Sequence, residues 1–282
     1  MSISTFLSFT VFVSTIFFLG IYMDLLRLVW LSLLIAGGFV WLILLLSRRF
    51  FPRVIRVAAG PAGVRRLLSI VVICYGGLVL YAFFRFCQDC IFPDHPFYFF
   101  PVCFLLLTAY GTRRGLDTLQ RTARIASVTV AVLLVLTVVS TLQKLWAQRQ
   151  FVVSSFAALT AFDMPGFALQ TVLIAAVLLA QTLTLLLTAD PSDDASSQLR
   201  SLSRGLIRGI GASSLLYLLA VLALGSYSFE RLTYPIYDML SLPGVAEYLD
   251  RTEFLMLILF LFCESTKTIS IFAALGRAWS SR

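Results

Sequence analysis

Charge is what this sequence has least of. Asp, Glu, Lys and Arg make up 13% of its 282 residues, whereas soluble domains carry about 25%. That deficit argues against a water-soluble globular domain. Acidic residues are the scarcer kind, 14 against 22 basic, for a net charge of +8. Histidine occurs once, at His95, which excludes histidine pairs for acid–base work and histidine-rich metal clusters. The five cysteines, Cys74, Cys87, Cys90, Cys103 and Cys263, are odd in number and sit in or beside apolar runs. They do not suit a disulfide framework. Phosphate-binding loop, nucleophile-elbow and zinc-protease motifs are all missing. No enzyme and no cofactor is expected. The N-terminus lacks a basic leader and a small-residue cleavage site, so 5–22 reads as a retained first span.

What remains is apolar: 60% of residues are hydrophobic, and they come in runs long enough to cross a bilayer. Eight spans are expected, at about 5–22, 25–47, 67–86, 97–111, 124–142, 151–188, 206–228 and 253–275. The fold class is therefore all-α and polytopic, one integral-membrane domain over 1–282. The basic residues fall between spans and not on a polar surface, which removes nucleic acid as a partner. Arg48, Arg49, Arg53, Arg56, Arg65 and Arg66 follow the second span. Arg113, Arg114, Arg121 and Arg124 follow the fourth, and Arg200, Arg204 and Arg208 follow the sixth. Eight spans put all of these on one side, together with Arg277 and Arg282. The positive-inside rule then places both termini in the cytoplasm.

The sixth run is interrupted by Asp163-Met164-Pro165-Gly166. Proline lacks a backbone N–H and glycine weakens a helix, so a break is expected there. Backbone freed in lipid must be satisfied by protein or by a water-filled cavity. In transporters such breaks frequently hold the substrate. Ser154, Ser155, Thr160, Asp163, Pro165 and Gly166 are accordingly the candidate solute-binding residues. The half-helix after the break would offer N–H groups to a carboxylate, and Asp163 would meet an ammonium, so an amino acid fits both ends. The alternative is a plain proline kink with Asp163 near one membrane face. Glu264 and Lys267 lie in the last span at i, i+3 and share a helix face. They are candidates for a coupling ion pair, with Lys267 as a fixed cation, or for a purely structural couple.

Two outer segments stand out. Cys87-Gln88-Asp89-Cys90 with His95 has a loose zinc-ligand look but lacks the firm spacing of a structural site, and no metal is assigned. Residues 229–252 mix apolar and polar positions as a short amphipathic helix over the outer face would, with an ordinary interfacial hairpin as the alternative. On the inner side Asp190 or Ser192 is placed to cap the following turn.

Taken together, these stretches resemble the spore germination receptor B subunit (GerAB-type) family of the amino acid–polyamine–organocation (APC) transporter superfamily. The likeness is carried by Tyr234-Pro235, by Tyr248-Leu249-Asp250-Arg251-Thr252-Glu253-Phe254, and by Ser265-Thr266-Lys267-Thr268-Ile269-Ser270. Further matches are Ile91-Phe92-Pro93-Asp94-His95-Pro96, Ala109-Tyr110-Gly111-Thr112-Arg113-Arg114-Gly115-Leu116-Asp117 and Arg121-Thr122-Ala123-Arg124-Ile125. The resemblance implies a LeuT-like inverted-repeat fold with broken first and sixth spans. It also implies an extracellular lid after the seventh span. Eight spans against the family's ten imply a shortened second repeat.

The implied function is a germinant receptor B subunit in the cell membrane or spore inner membrane. It would bind a small germinant such as an amino acid and signal to A and C subunits. The first span shows no Gly/Pro break, and Asp163-Met164-Pro165-Gly166 only approximates the family's Phe-Gly-Glu run. Two other readings stay open: an APC-type amino acid permease, and a reduced membrane scaffold without a working site.

Overall fold

The computed structural model describes residues 5–16, 28–47, 62–91, 99–113, 116–147, 164–188, 194–241 and 252–279. Every one of the eight apolar runs holds a helix. In chain order the helices are α1 (Thr5–Ile16), α2 (Val29–Leu46), α3 (Ala62–Phe86), α4 (Phe99–Arg113), α5 (Leu116–Ala147), α6 (Met164–Thr188), α7 (Ala195–Leu224), α8 (Ser226–Phe229), α9 (Pro235–Ser241) and α10 (Thr252–Trp279). A π-helical turn, Cys87–Ile91, continues α3. Among the described residues there is no strand. Among the described residues five stretches are long and apolar enough to cross a membrane: Val29–Leu46, Arg66–Cys90, Ala123–Gln143, Met164–Thr188 and Ser196–Leu224. Their outward faces carry large bare side chains such as Phe39, Leu46, Leu67, Val132 and Val172. Water would penalise that surface and lipid does not, which supports an integral membrane protein.

Pair contacts fix how the helices alternate. Trp279 donates to Ser69, and Arg277 donates to the Thr188 carbonyl at 2.6 Å. The Arg124 guanidinium lies over the Phe6 ring, Ser8 packs on Gly205, and Trp41 donates to Ser203. A Cβ at Gly111 would stand 2.9 Å from Ile269. Hence α1, α3, α5 and α7 start at one end of the bundle, and α2, α4, α6 and α10 run toward it. Arg66, Arg113, Arg121, Arg124, Arg200, Arg204, Arg208 and Arg277 gather toward this basic end. The other end mixes signs, with Arg85, Arg231, Asp89, Glu230 and Asp238.

Two helices form the frame. α10 packs against α1, α3, α4, α5, α6 and α9, while α7 packs against α1, α2, α5 and α9. The α1–α7 seam is close because α7 presents Gly205 and Gly209 one turn apart. A Cβ at Gly205 would collide with Ser8 and stand 2.9 Å from the Phe9 backbone nitrogen. One at Gly209 would lie 2.7 Å from the Phe12 Cβ. Small residues spaced by four let two helix backbones approach in this way.

The helix ends differ from expectation in instructive ways. α7 begins at Ala195, well ahead of the expected 206, because Asp194 caps it. The Asp194 carboxylate accepts from the backbone N–H of Ser196 at 3.1 Å and from its hydroxyl at 2.7 Å. Those hydrogen bonds hold the Asp194 carboxyl below its ordinary value. Asp190 and Ser192, the expected caps, lie outside the described residues. α7 also stops at Leu224, short of the expected 228. Gly225 takes φ 77°, open to glycine at little cost, and its N–H closes on the Val221 carbonyl. Among the described residues of the outer segment the helix is Pro235–Ser241, opened by a proline whose missing N–H would be unpaired there anyway. Residues 17–22 and 25–27 of the expected first two spans lie outside the described residues.

Candidate functional site

The strongest chemical feature lies inside α10. The Lys267 Nζ is 2.6 Å from the Glu264 Oε1, and the two side chains are 1% and 0% exposed. An i, i+3 spacing stacks them one turn apart on the face that α10 turns to the bundle. The hydroxyls around them are mostly spent on their own helix: Thr266 donates to the Phe262 carbonyl and Ser270 to that of Thr266. The Glu264 Oε2 and the Thr268 hydroxyl have no hydrogen-bond partner among the described residues. An ionised couple this deep is retained where it packs or signals between helices, since apolar side chains would be cheaper to bury.

A second polar layer went unread in the sequence. The Gln170 Oε1 accepts from the Ser32 hydroxyl at 3.3 Å, tying α6 to α2. Gln181 Nε2 donates to the Val11 carbonyl at 3.1 Å, tying α6 to α1. Both glutamines are buried, with Gln170 Nε2 and Gln181 Oε1 unpartnered among the described residues. They stand about three turns apart on one face of α6. Two amides in a run otherwise made of Leu, Ala, Val, Ile and Thr are the signal that would have found them.

The candidate solute residues divide. Ser154, Ser155, Thr160 and Asp163 lie outside the described residues. Pro165 and Gly166 occupy the first turn of α6, with Pro165 exposed. α6 has 25 residues and is about 37 Å long, enough to cross a core of about 30 Å by itself. Within the described residues Pro165-Gly166 therefore stand in the first turn of a helix long enough to cross by itself. The contact of Arg277 with Thr188 sets α6 and α10 in register. At about 1.5 Å per residue, Gly166 lies roughly 18 Å further toward the mixed-charge end than Lys267. The structure does not bring these two groups together.

At that same end the π-turn meets α9. The Asp89 Oδ2 accepts from Tyr234 Oη at 2.9 Å and from Arg85 Nε at 3.2 Å. The Phe86 ring packs edge-on against Tyr234 and Tyr237, with centroids 5.1 and 5.7 Å away. Burial first, then the Asp89 bond, pushes the Tyr234 hydroxyl well above its ordinary value, so it stays a donor at physiological pH. Burial likewise raises Asp238 on α9. His95 lies outside the described residues, and among those described no cluster of three His, Cys, Asp or Glu could hold a metal. Tyr234→Phe keeps the ring contact and removes one hydrogen bond to a charged acceptor that Arg85 still holds. We expect a loss of about 1 kcal/mol in thermal unfolding, with faster maleimide labelling of Cys90, which the cluster half-buries.

Comparison with protein families, with characterised proteins and with solved structures gives no match in any of the three. The likeness to germinant receptor B subunits stands on the residues quoted for it.

Proposed function

We propose that this chain is a transporter-like, solute-binding membrane protein of the germinant receptor B subunit kind. The observation that supports the reading is the fully buried Glu264–Lys267 pair at 2.6 Å, on the helix that touches most of the bundle. A charge couple there links any tilt of α10 to α1, α3, α5 and α6. In this reading the chain crosses the membrane eight times, with the basic end and both termini in the cytoplasm. The helices take up the LeuT-like arrangement with a shortened second repeat. A small zwitterion, most simply an amino acid, binds where α6 begins. Its carboxylate faces the free N–H groups of the first turn beside Pro165 and Gly166. Its ammonium meets Asp163, with Ser155 and Thr160 alongside. The ion pair deeper in the bundle then carries the change in helix position to A and C subunits.

Equilibrium binding of radiolabelled amino acids to the purified protein tests the site. Asp163→Ala should weaken binding about tenfold or more, because a hydrogen bond to a charged group is lost. Unchanged affinity would remove Asp163 from the site. The same ion pair suits a permease in which Lys267 replaces a coupling cation, and uptake by reconstituted vesicles separates the two. Accumulation of the bound amino acid favours the permease. Binding without uptake, with co-purifying A and C subunits, favours the receptor.

A further inference from the structure

One face of α7 stays exposed from its first turns deep into the helix. Arg200, Arg204, Arg208, Gly211 and Leu215 follow one another along it, spaced by three or four residues and all exposed. That spacing stacks them in a line. The line changes character along its length, from three guanidiniums to a bare apolar strip that includes Ile207 and Leu215. None of the three arginines has an ion-pair partner among the described residues. Asp194, at the start of the helix, feels the Arg200 charge but spends its hydrogen bonds on Ser196. Arg200 and Arg204 each rest their Nε on a carbonyl of their own helix at 3.3 Å, and Arg200 Nη2 also donates to the Ser196 hydroxyl at 3.5 Å, so each guanidinium keeps donors beyond these bonds. Like charges at i, i+4 repel, so the line is disfavoured unless an anion sits on it.

Depth identifies the anion. The indoles of Trp41 and Trp279, which donate to Ser203 and Ser69, lie at this same end, where tryptophans anchor a helix at the membrane–water boundary. Arg204 is one residue from the Trp41 contact, which sets the guanidiniums at the level of these indoles. Below them a Cβ at Gly211 would meet nothing within 4 Å, leaving a notch in the helix surface that opens to lipid.

We propose that this face is a binding site for an anionic phospholipid. The phosphodiester is gripped by Arg204 and Arg208, with Arg200 above, and one acyl chain lies over Gly211 and along Leu215. Arginine forks suit phosphate oxygens, and a headgroup without a compensating ammonium keeps the net negative charge that the line needs. The proposal rests on the membrane reading alone and is independent of any solute site.

The test is lipid binding to the full chain in detergent, followed by native mass spectrometry. Phosphatidylglycerol, phosphatidylcholine and glycerol 3-phosphate are the probes. The wild type should prefer phosphatidylglycerol to phosphatidylcholine. Arg204→Gln/Arg208→Gln should weaken phosphatidylglycerol binding roughly thirtyfold, at about fivefold for each arginine near an anionic headgroup. Arg121→Gln, an exposed arginine at the same end but off the line, should leave binding unchanged. Gly211→Leu fills the notch and should weaken the lipid alone. Equal loss in the Arg121 variant, or none in the double variant, would overturn the site. Glycerol 3-phosphate displacing the lipid at equal concentration would make the occupant a free phosphate ester and overturn the lipid assignment. Should the double variant fail to fold, the single variants Arg204→Gln and Arg208→Gln, each expected to lose about fivefold, give the same readout.

Discussion

Lys267→Ala is expected to destabilise the protein by about 3–5 kcal/mol, the usual result of leaving one member of a buried pair behind. The reason is local and visible. Glu264 is 0% exposed, Lys267 stands 2.6 Å away, and the remaining carboxylate oxygen has no hydrogen-bond partner among the described residues. Removing the ammonium leaves a carboxylate in a low-dielectric interior with nothing at hand to replace it. Thermal unfolding in detergent and the yield of folded protein should both fall. The double variant Glu264→Gln/Lys267→Met should recover most of the loss, because neither residue then strands a charge. Single and double variants equally damaged would assign the effect to packing of the long lysine chain. A wild-type melting temperature in Lys267→Ala would mean that water reaches the pair.

Gly205→Val should be the most damaging substitution at a glycine. Its first added atom would meet Ser8 and then the Phe9 backbone at 2.9 Å. A side-chain rotation cannot relieve a clash with backbone, so α1 and α7 must separate along the seam. Overpacking of this kind costs about 1–3 kcal/mol, and more where backbone must move. Gly209→Ala, whose new methyl group faces the Phe12 side chain at 2.7 Å, should lose less. Gly211→Ala serves as the control on the same helix, since open space surrounds it. It should hold or slightly raise stability through better helix propensity. Melting temperatures ranked Gly211→Ala, Gly209→Ala, Gly205→Val from high to low are the expected outcome. A Gly205→Val protein as stable as wild type would show that α1 does not seat on α7 in this way.

Apolar runs announced the helices plainly, because lipid selects for length and hydropathy, and both are properties of one segment at a time. Helix ends were less legible. Asp194, not Asp190 or Ser192, caps α7, since Ser196 supplies both a backbone and a hydroxyl donor to it. Gly225 ends the same helix through a positive φ that Ser226-Tyr227-Ser228 gave no hint of. The Glu264–Lys267 pair was readable, because two charges one turn apart in an apolar run leave few other arrangements. The level of Pro165-Gly166 was not. Residues 151–188 look like one broken run, whereas the 25 residues of α6 alone match a bilayer's thickness, and the contact of Thr188 with Arg277 sets the level of its first turn. Gly205 and Gly209 were present as a spaced pair, but a pair of glycines names a seam and not its partner. Gln170 and Gln181 belong to the same class, since their partners Ser32 and Val11 are remote in the chain.

The central claim is that the folded protein holds a small zwitterion, and a thermal-melt screen of the purified wild type tests it most directly. Individual amino acids, with sugars as the uncharged comparison, would each be added in excess. A ligand bound only by the folded state at about 100 times its dissociation constant stabilises by roughly 2.7 kcal/mol. The account predicts a raised melting temperature with at least one amino acid and none with the sugars. No shift with any amino acid, or a shift with sugars alone, would contradict it.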